Sequence, residues 1–161
     1  MKLYVMRHGV AEQYRPNSSV ADCDRALNAK GRTRTRDMAR TLKYLGEIPT
    51  VVLSSPLPRA LQTAEILVAT MGLDVCVELR REIVDGDMRP LIEQLRSSKA
   101  EAVLLVGHEP SLSSLTRDLV GDNGWPCMIA KGMVIAIEFP DDGPGKVLFF
   151  MGTKRLVPEL F

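Results

Sequence analysis

Residues 102–108, Ala102-Val103-Leu104-Leu105-Val106-Gly107-His108, decide the fold. An apolar run this short, with no polar alternation, reads as a strand buried on both faces. It stops at Gly107-His108, and Pro110 then opens a helix carrying Leu112, Leu115 and Leu119, proline being well placed at a first helical position. Strand, short loop and helix follow one another as in one half of a βαβ unit.

The same unit recurs on either side. Lys2 to Met6 reads as a buried strand stopping at Arg7-His8-Gly9, and residues 10–29 are polar and irregular, with Pro16-Asn17-Ser18-Ser19 as breakers. A helix runs from Gly31 to about Leu45, with Met38, Leu42 and Leu45 on one face and Gly46 as its C-cap. Thr50 to Leu53 is the next strand, closed by Ser54-Ser55-Pro56. A helix from Pro58 to Met71 follows, with Ala60, Ala64, Leu67 and Met71 at helical spacing and Gly72 beyond its end. Val75 to Glu78 is a short strand, a polar loop continues through Asp87, and Leu91, Ile92 and Leu95 mark another amphipathic helix. Met133 to Phe139 and Lys146 to Met151 pair around the turn Pro140-Asp141-Asp142-Gly143-Pro144-Gly145. The expected fold is α/β: a three-layer sandwich, its central sheet mostly parallel with helices on both faces, finished by a C-terminal antiparallel hairpin. In such sheets ligands bind beyond the carboxyl ends of the strands.

Composition sets limits. The chain has 161 residues, 45% hydrophobic and 25% charged, consistent with one domain spanning residues 1–161. The 21 Lys and Arg nearly balance 20 Asp and Glu, for a net charge of +1, so overall basicity gives no argument for nucleic acid. No apolar run approaches the roughly 20 residues of a membrane span. Arg7 interrupts the apolar start at once, so no signal peptide is expected. Cys23, Cys76 and Cys127 are odd in number and far apart, which reads as reduced thiols in a cytoplasmic protein. No G-x-x-x-x-G-K-[ST], G-x-G-x-x-G or G-x-S-x-G occurs, and the two histidines lack carboxylates at ligand spacing, so neither metal nor cofactor is expected.

His8 and His108 are the only histidines, and each ends a strand beside a glycine. Arg7 follows four apolar residues, where an unpaired guanidinium is costly; it needs an anion, either a phosphate or an internal carboxylate. Arg59, in the first turn of its helix, opposes the dipole unless an anion sits there. Two imidazoles and two guanidiniums at three strand ends make a site for a dianionic phosphoryl group.

Arg7-His8-Gly9 after an N-terminal strand resembles the signature of the histidine phosphatase superfamily, which includes phosphoglycerate mutases and acid phosphatases. The segment from Leu53 to Ala64 resembles its S-P-x-x-R-A-x-Q-T-A motif, Val106-Gly107-His108 its third, and Arg25-Ala26-Leu27-Asn28-Ala29-Lys30-Gly31 its R-x-L-[TS]-x-x-G. The short chain is most similar to the SixA-type phosphohistidine phosphatases, which lack the insertions that enclose the site in mutases. An uncovered site suits a side chain on another folded protein. The resemblance implies His8 as a nucleophile that becomes phosphorylated, Arg7, Arg59 and His108 gripping phosphoryl oxygens, and Gly9 allowing close approach. Arg25, on the mobile 10–29 stretch, would close over the phosphoryl group or meet the partner. Arg7 and Arg59 are expected to hold the His8 pKa down.

The general acid is less defined. Glu82-Ile83-Val84-Asp85-Gly86 has the E-x-x-x-G spacing of mutase-like members without their surrounding pattern, and Asp85 and Asp87 are fallbacks. A phosphohistidine substrate reduces the need, because the leaving imidazole has a conjugate acid near pKa ~6.5. The implied partner and substrate is a phosphohistidine-bearing protein, either a histidine-containing phosphotransfer domain or a phosphocarrier; the chain itself is expected to be a monomer, with no nucleic acid or membrane as partner. The alternatives are a small-molecule phosphomonoesterase or mutase and a non-catalytic phosphate-binding module. The cations Arg25, Lys30, Arg32, Arg34, Arg36, Arg40 and Lys43, set against Asp37 alone, form either a solvated face or a surface steering an acidic partner.

Overall fold

The structure, a computed structural model, describes residues 1–17, 19–121, 128–140 and 143–160, with the backbone alone at Asp85. Ser18, Cys127, and Asp141 and Asp142 of the expected turn lie outside the described residues.

Strands β1 (Lys2–Arg7), β2 (Val51–Ser54), β3 (Val77–Leu79), β4 (Ala102–Gly107), β5 (Val134–Glu138), β6 (Lys146–Gly152) and β7 (Arg155–Leu160) form one sheet in the order β3-β2-β4-β1-β5-β6-β7. The first four in that order run parallel, whereas β5, β6 and β7 continue antiparallel from β1. The antiparallel part is one strand longer than the expected hairpin. That extra strand, β7, contains Pro158 and lies at the sheet edge, where a missing N–H costs no ladder bond.

Alternation along β1 divides the apolar layers. Leu3 and Val5 face one side, against Ile83, Leu91, Leu95, Leu112 and Leu115. Tyr4 and Met6 face the other, against Met38, Leu42, Ala60, Ala64 and Leu67. Helices α1 (Ala29–Tyr44) and α2 (Pro58–Met71) therefore cover one face, while α3 (Glu82–Asp85), α4 (Arg89–Ser97) and α5 (Ser111–Val120) cover the other. Helix α2 has the limits its periodicity predicts, and Gly72 ends it at φ 69°, a left-handed conformation suited to glycine.

Several boundaries differ from expectation: α1 ends at Tyr44 with Leu45, not Gly46, as its C-cap, and β3 covers Val77–Leu79 rather than Val75–Glu78. Helix α1 begins at Ala29 rather than Gly31, because the Asn28 side chain caps it by accepting from Gly31 N–H at 2.8 Å. Pro110 is the N-cap of α5, one place before its first turn. The polar loop through Asp87 contains the helical turn α3, pinned where Ile83 packs over Gly107.

Candidate active site

Register brings the predicted residues to one level. Strands β2, β4 and β1 are consecutive in the sheet, with Arg7 opposite Gly107 and Ser54 opposite Val106. The ladder continues one residue further on each side: His8 N–H donates to Gly107 O at 3.0 Å, and Ser55 N–H donates to Val106 O at 3.0 Å. His8, Ser55 and His108 thus leave adjacent strands side by side, and the His8 and His108 ring centroids lie 5.0 Å apart.

His8 is only 5% exposed, and its Nδ1 stands 2.7 Å from Gly9 O. A carbonyl accepts only, so Nδ1 carries the proton and Nε2 keeps a free lone pair. Burial pushes the His8 pKa down to about 3, against the raising effect of that carbonyl; His108, Arg59 and Arg7 lower it further. The arginines were expected to be the main cause, yet desolvation is the larger one. His108 is held at about 4, again first by burial and then by Arg59 and Arg7. Both rings are neutral at pH 7.

Helix α2 organises the loops around them. Its Thr63 hydroxyl donates to Arg59 O at 2.7 Å and accepts from Gly9 N–H at 3.0 Å, and its Gln62 Oε1 accepts from Leu27 N–H at 2.8 Å. Gln62 and Thr63 were quoted in the sequence only as part of a motif; their work is to hang two loops on one helix. Gly9 is confined, since an added Cβ would stand 3.0 Å from Thr35 Oγ1. Gly31 is more so: a Cβ there would lie 2.0 Å from Val10 O.

The guanidiniums are half-committed. Arg7 Nη1 donates to Ile129 O at 2.9 Å, and Arg59, 7% exposed, donates from Nη1 to Asp22 O at 2.9 Å. The Nε atoms of both are buried without a partner among the described residues. Each arginine therefore keeps donors for an anion while one nitrogen fixes its place. Burial lowers the pKa of both, and Glu109 opposes this at Arg7 as Asp22 does at Arg59. The internal carboxylate foreseen as Arg7's alternative partner is thus present in part as Glu109, which acts on it electrostatically.

Arg25 is held rather than mobile. Its Nε and Nη2 bond the Asp22 carboxylate at 2.8 and 2.7 Å, and its Nη1 bonds Glu12 O at 2.7 Å. Asp22–Asp24 form a 3-10 turn, and Ala11 bridges Leu27, so this part of the loop has fixed partners. Arg25 stands near enough to Arg59 to lower its pKa, and the Asp22 carboxylate, 3.8 Å from Arg59 Nη2, lies between them. Sequence reasoning missed Asp22, because a short polar turn has no periodic signal.

Glu82 lies on α3 beside the end of β4, and its carboxylate makes no hydrogen bond or ion pair with Arg7, His8, Arg59 or His108. Asp87 is exposed and engaged with Arg89, and the Asp85 side chain lies outside the described residues. Among the described residues, no three of His, Cys, Asp and Glu gather as metal ligands, and no helix is long and apolar enough to cross a membrane. Cys23 and Cys76 are exposed free thiols. Of the α1 cations, Arg32 bonds Leu27 O at 2.5 Å and Arg40 pairs with Asp37 at 3.0 Å.

Comparison with known proteins places this arrangement. A family model described as histidine phosphatase superfamily (branch 1) matches residues 3–88. An uncharacterized protein of Picosynechococcus is 34% identical over 142 residues, covering 86% of this chain and 85% of its own length. The protein histidine phosphatase SixA, solved with tungstate, superposes with a TM-score of 0.85 at 26% identity, covering 96% of this chain and 98% of that one. A mycobacterial glucosyl-3-phosphoglycerate phosphatase shares the fold at TM-score 0.72 and 17% identity, covering 91% and 96% of the two chains. With the ordered motifs, the family match and the strand-end site in agreement, the chain belongs to the histidine phosphatase superfamily, branch 1.

Proposed function

We propose that the protein is a phosphohistidine phosphatase, removing phosphate from a histidine side chain of a partner protein through a phospho-His8 intermediate. The observation that carries this reading is the His8 ring: neutral, with Nδ1–H fixed on Gly9 O and Nε2 free, beside two arginines that keep unused donors. In the first step the Nε2 lone pair attacks phosphorus while the bond from phosphorus to the substrate imidazole breaks. The leaving imidazole takes up a proton. Water then attacks the phosphorus of phospho-His8, releasing inorganic phosphate and restoring the ring. Such transfers need chiefly positioning and charge stabilisation of the equatorial oxygens, which Arg7, Arg59 and His108 supply.

The choice of a P–N bond rests on the carboxylates. The two that act electrostatically on the site arginines are Glu109 and Asp22. Asp22 is itself paired with Arg25, and Glu109 accepts from Ser113 O–H and Ile129 N–H through Oε1 while its Oε2 is buried without a partner among the described residues, so only Asp22 is fully engaged. A paired carboxylate is a poor proton donor, and an imidazole leaving group, with a conjugate acid near pKa ~6.5, needs donation far less than an alkoxide does. The small-molecule phosphomonoesterase remains the second reading. It is favoured by Glu82's place beside the β4 end and by the fold shared with the glucosyl-3-phosphoglycerate phosphatase.

The test compares a phosphorylated histidine phosphotransfer domain with phosphoserine as substrates, for wild type, His8→Asn and Glu82→Gln. Faster loss of the P–N phosphate, none from His8→Asn and full activity in Glu82→Gln are expected. Equal turnover of both substrates, with loss of ester hydrolysis in Glu82→Gln, would establish the phosphomonoesterase instead.

A further inference from the structure

His108 is neutral at working pH, so it carries one N–H, and which nitrogen bears it decides whether the ring can donate to a phosphoryl oxygen. Its Nε2 lies 2.7 Å from Ser55 Oγ. Its Nδ1, on the opposite edge of the ring, is buried with no partner among the described residues.

Ser55 has a full set of obligations. It is 0% exposed, and its Oγ accepts from Leu57 N–H at 3.1 Å. Leu57 is the N-cap of α2, so this bond also ties Ser55 to the start of the helix that carries Arg59. A hydroxyl has one hydrogen to give and two lone pairs. If His108 Nε2 were the donor, Ser55 Oγ would accept twice. Its own hydrogen would then be buried with no acceptor among its recorded contacts, an unmet donor left beside a bare Nδ1 lone pair. If Ser55 donates to Nε2, both bonds at Oγ are made with the hydroxyl hydrogen used, the ring proton sits on Nδ1, and the one donor left over is that Nδ1–H, on the ring edge the protein leaves unpartnered and an anion can engage.

We infer that Ser55 is a positioning residue that fixes the His108 tautomer, so that Nδ1–H is held ready as a donor to the phosphoryl oxygens. This inference rests on the proposed phosphoryl transfer for its catalytic consequence, but not for the tautomer itself. His8 and His108 then form a complementary pair. In each ring one nitrogen is engaged by the protein: Gly9 O accepts from His8 and leaves it a lone pair, while Ser55 O–H donates to His108 and leaves it an N–H. One ring attacks and the other stabilises, although both are neutral imidazoles at neighbouring strand ends.

The chain has only two histidines, which makes the test direct. Long-range proton–nitrogen NMR spectra of the uniformly ¹⁵N-labelled protein at pH 7.5 report the protonation of each ring nitrogen, and the His8→Asn spectrum assigns His108. Nδ1–H with bare Nε2 is expected for His108 in wild type. Ser55→Ala is expected to move the proton to Nε2, the form free imidazole side chains favour. It should also reduce kcat/KM on the phosphohistidine protein by about tenfold to a hundredfold, somewhat less than outright loss of an oxyanion donor. Ser55→Thr, which keeps the hydroxyl, should restore both. Nε2–H in the wild-type protein, or an unchanged tautomer in Ser55→Ala, overturns the inference. Should Ser55→Ala not fold, the wild-type spectrum alone decides. No substrate is present in the NMR measurement, so inactivity toward phosphohistidine would count against the proposed function and leave the tautomer result standing.

Discussion

Lowering the pH from 8 to 5 should remove about 4 kcal/mol of folding stability through His8 and His108 alone. Their native pKa values are held at about 3 and about 4, whereas in the unfolded chain both return to roughly 6.5. Above pH 6.5 neither state binds the proton, and the stability is fully present. Below it the unfolded state binds protons that the native state refuses, so stability falls with pH until the native rings themselves titrate. At pH 5 each histidine costs RT ln(1 + 10^1.5), about 2 kcal/mol, and this figure barely depends on how far below 5 the native values lie. Against a total of about 5–15 kcal/mol, that is a large share. Other groups contribute too, so the measurement is differential: urea unfolding followed by circular dichroism at pH 8 and pH 5, for wild type and for a His8→Asn, His108→Gln double variant. Asparagine keeps a donor near the His8 Nδ1 position and glutamine keeps a polar atom near the His108 Nε2 position, so the contacts with Gly9 O and Ser55 Oγ are approximated without a titrating ring. The wild type should lose about 4 kcal/mol more than the variant over this range. Equal losses in the two proteins would refute burial of neutral histidines as the source.

Other perturbations test the framework around the site. Gly31→Ala drives a Cβ to 2.0 Å from Val10 O, a main-chain atom with little room to yield, and should cost about 3 kcal/mol in thermal or chemical unfolding; a loss under ~1 kcal/mol would mean that the two segments part freely. Asp22→Asn removes the charge facing Arg25 and Arg59 while leaving the Asp22 main-chain carbonyl in place. Inhibition by inorganic phosphate should tighten about fivefold, the factor that ~1 kcal/mol at a partly exposed ion pair produces. Unchanged or weaker inhibition would remove Asp22 from the electrostatics of the site. Arg59→Lys preserves charge but not the fork, and should lower kcat/KM by about 10²-fold or more; near-wild-type activity would reduce Arg59 to a point charge.

Much of this architecture is legible in the sequence because it is written in short-range signals. The apolar run 102–106, the helical spacing of Ala60, Ala64, Leu67 and Met71, and the terminal Gly72 are each settled by their neighbours, and each element forms as read. The histidines and arginines were legible because polar groups at the ends of buried strands have few structural uses. Asp22, Ser55 and Glu109 escaped for the opposite reason. Asp22 meets Arg59 across 37 residues, and Ser55 meets His108 across 53, so only the assembled sheet brings them together. Helix α3 was hidden by its length, a single turn held by Ile83 against Gly107 rather than by its own propensity. The source of the His8 pKa was misjudged because charges can be counted in a sequence, whereas desolvation depends on the packed surroundings.

The three loops bearing His8, Ser55 and His108 issue from consecutive strands whose separation is set by main-chain hydrogen bonding at about 4.8 Å. The width of the anion cradle is therefore a lattice constant of the sheet, about two strand spacings across, and owes little to which apolar side chains fill the layers above and below. Substitutions that repack either layer can alter melting behaviour without resizing the aperture. Adaptation to bulkier or smaller leaving groups falls instead to the segments bordering the strand ends, such as residues 10–28, which can change length and composition while the inner gauge stays fixed.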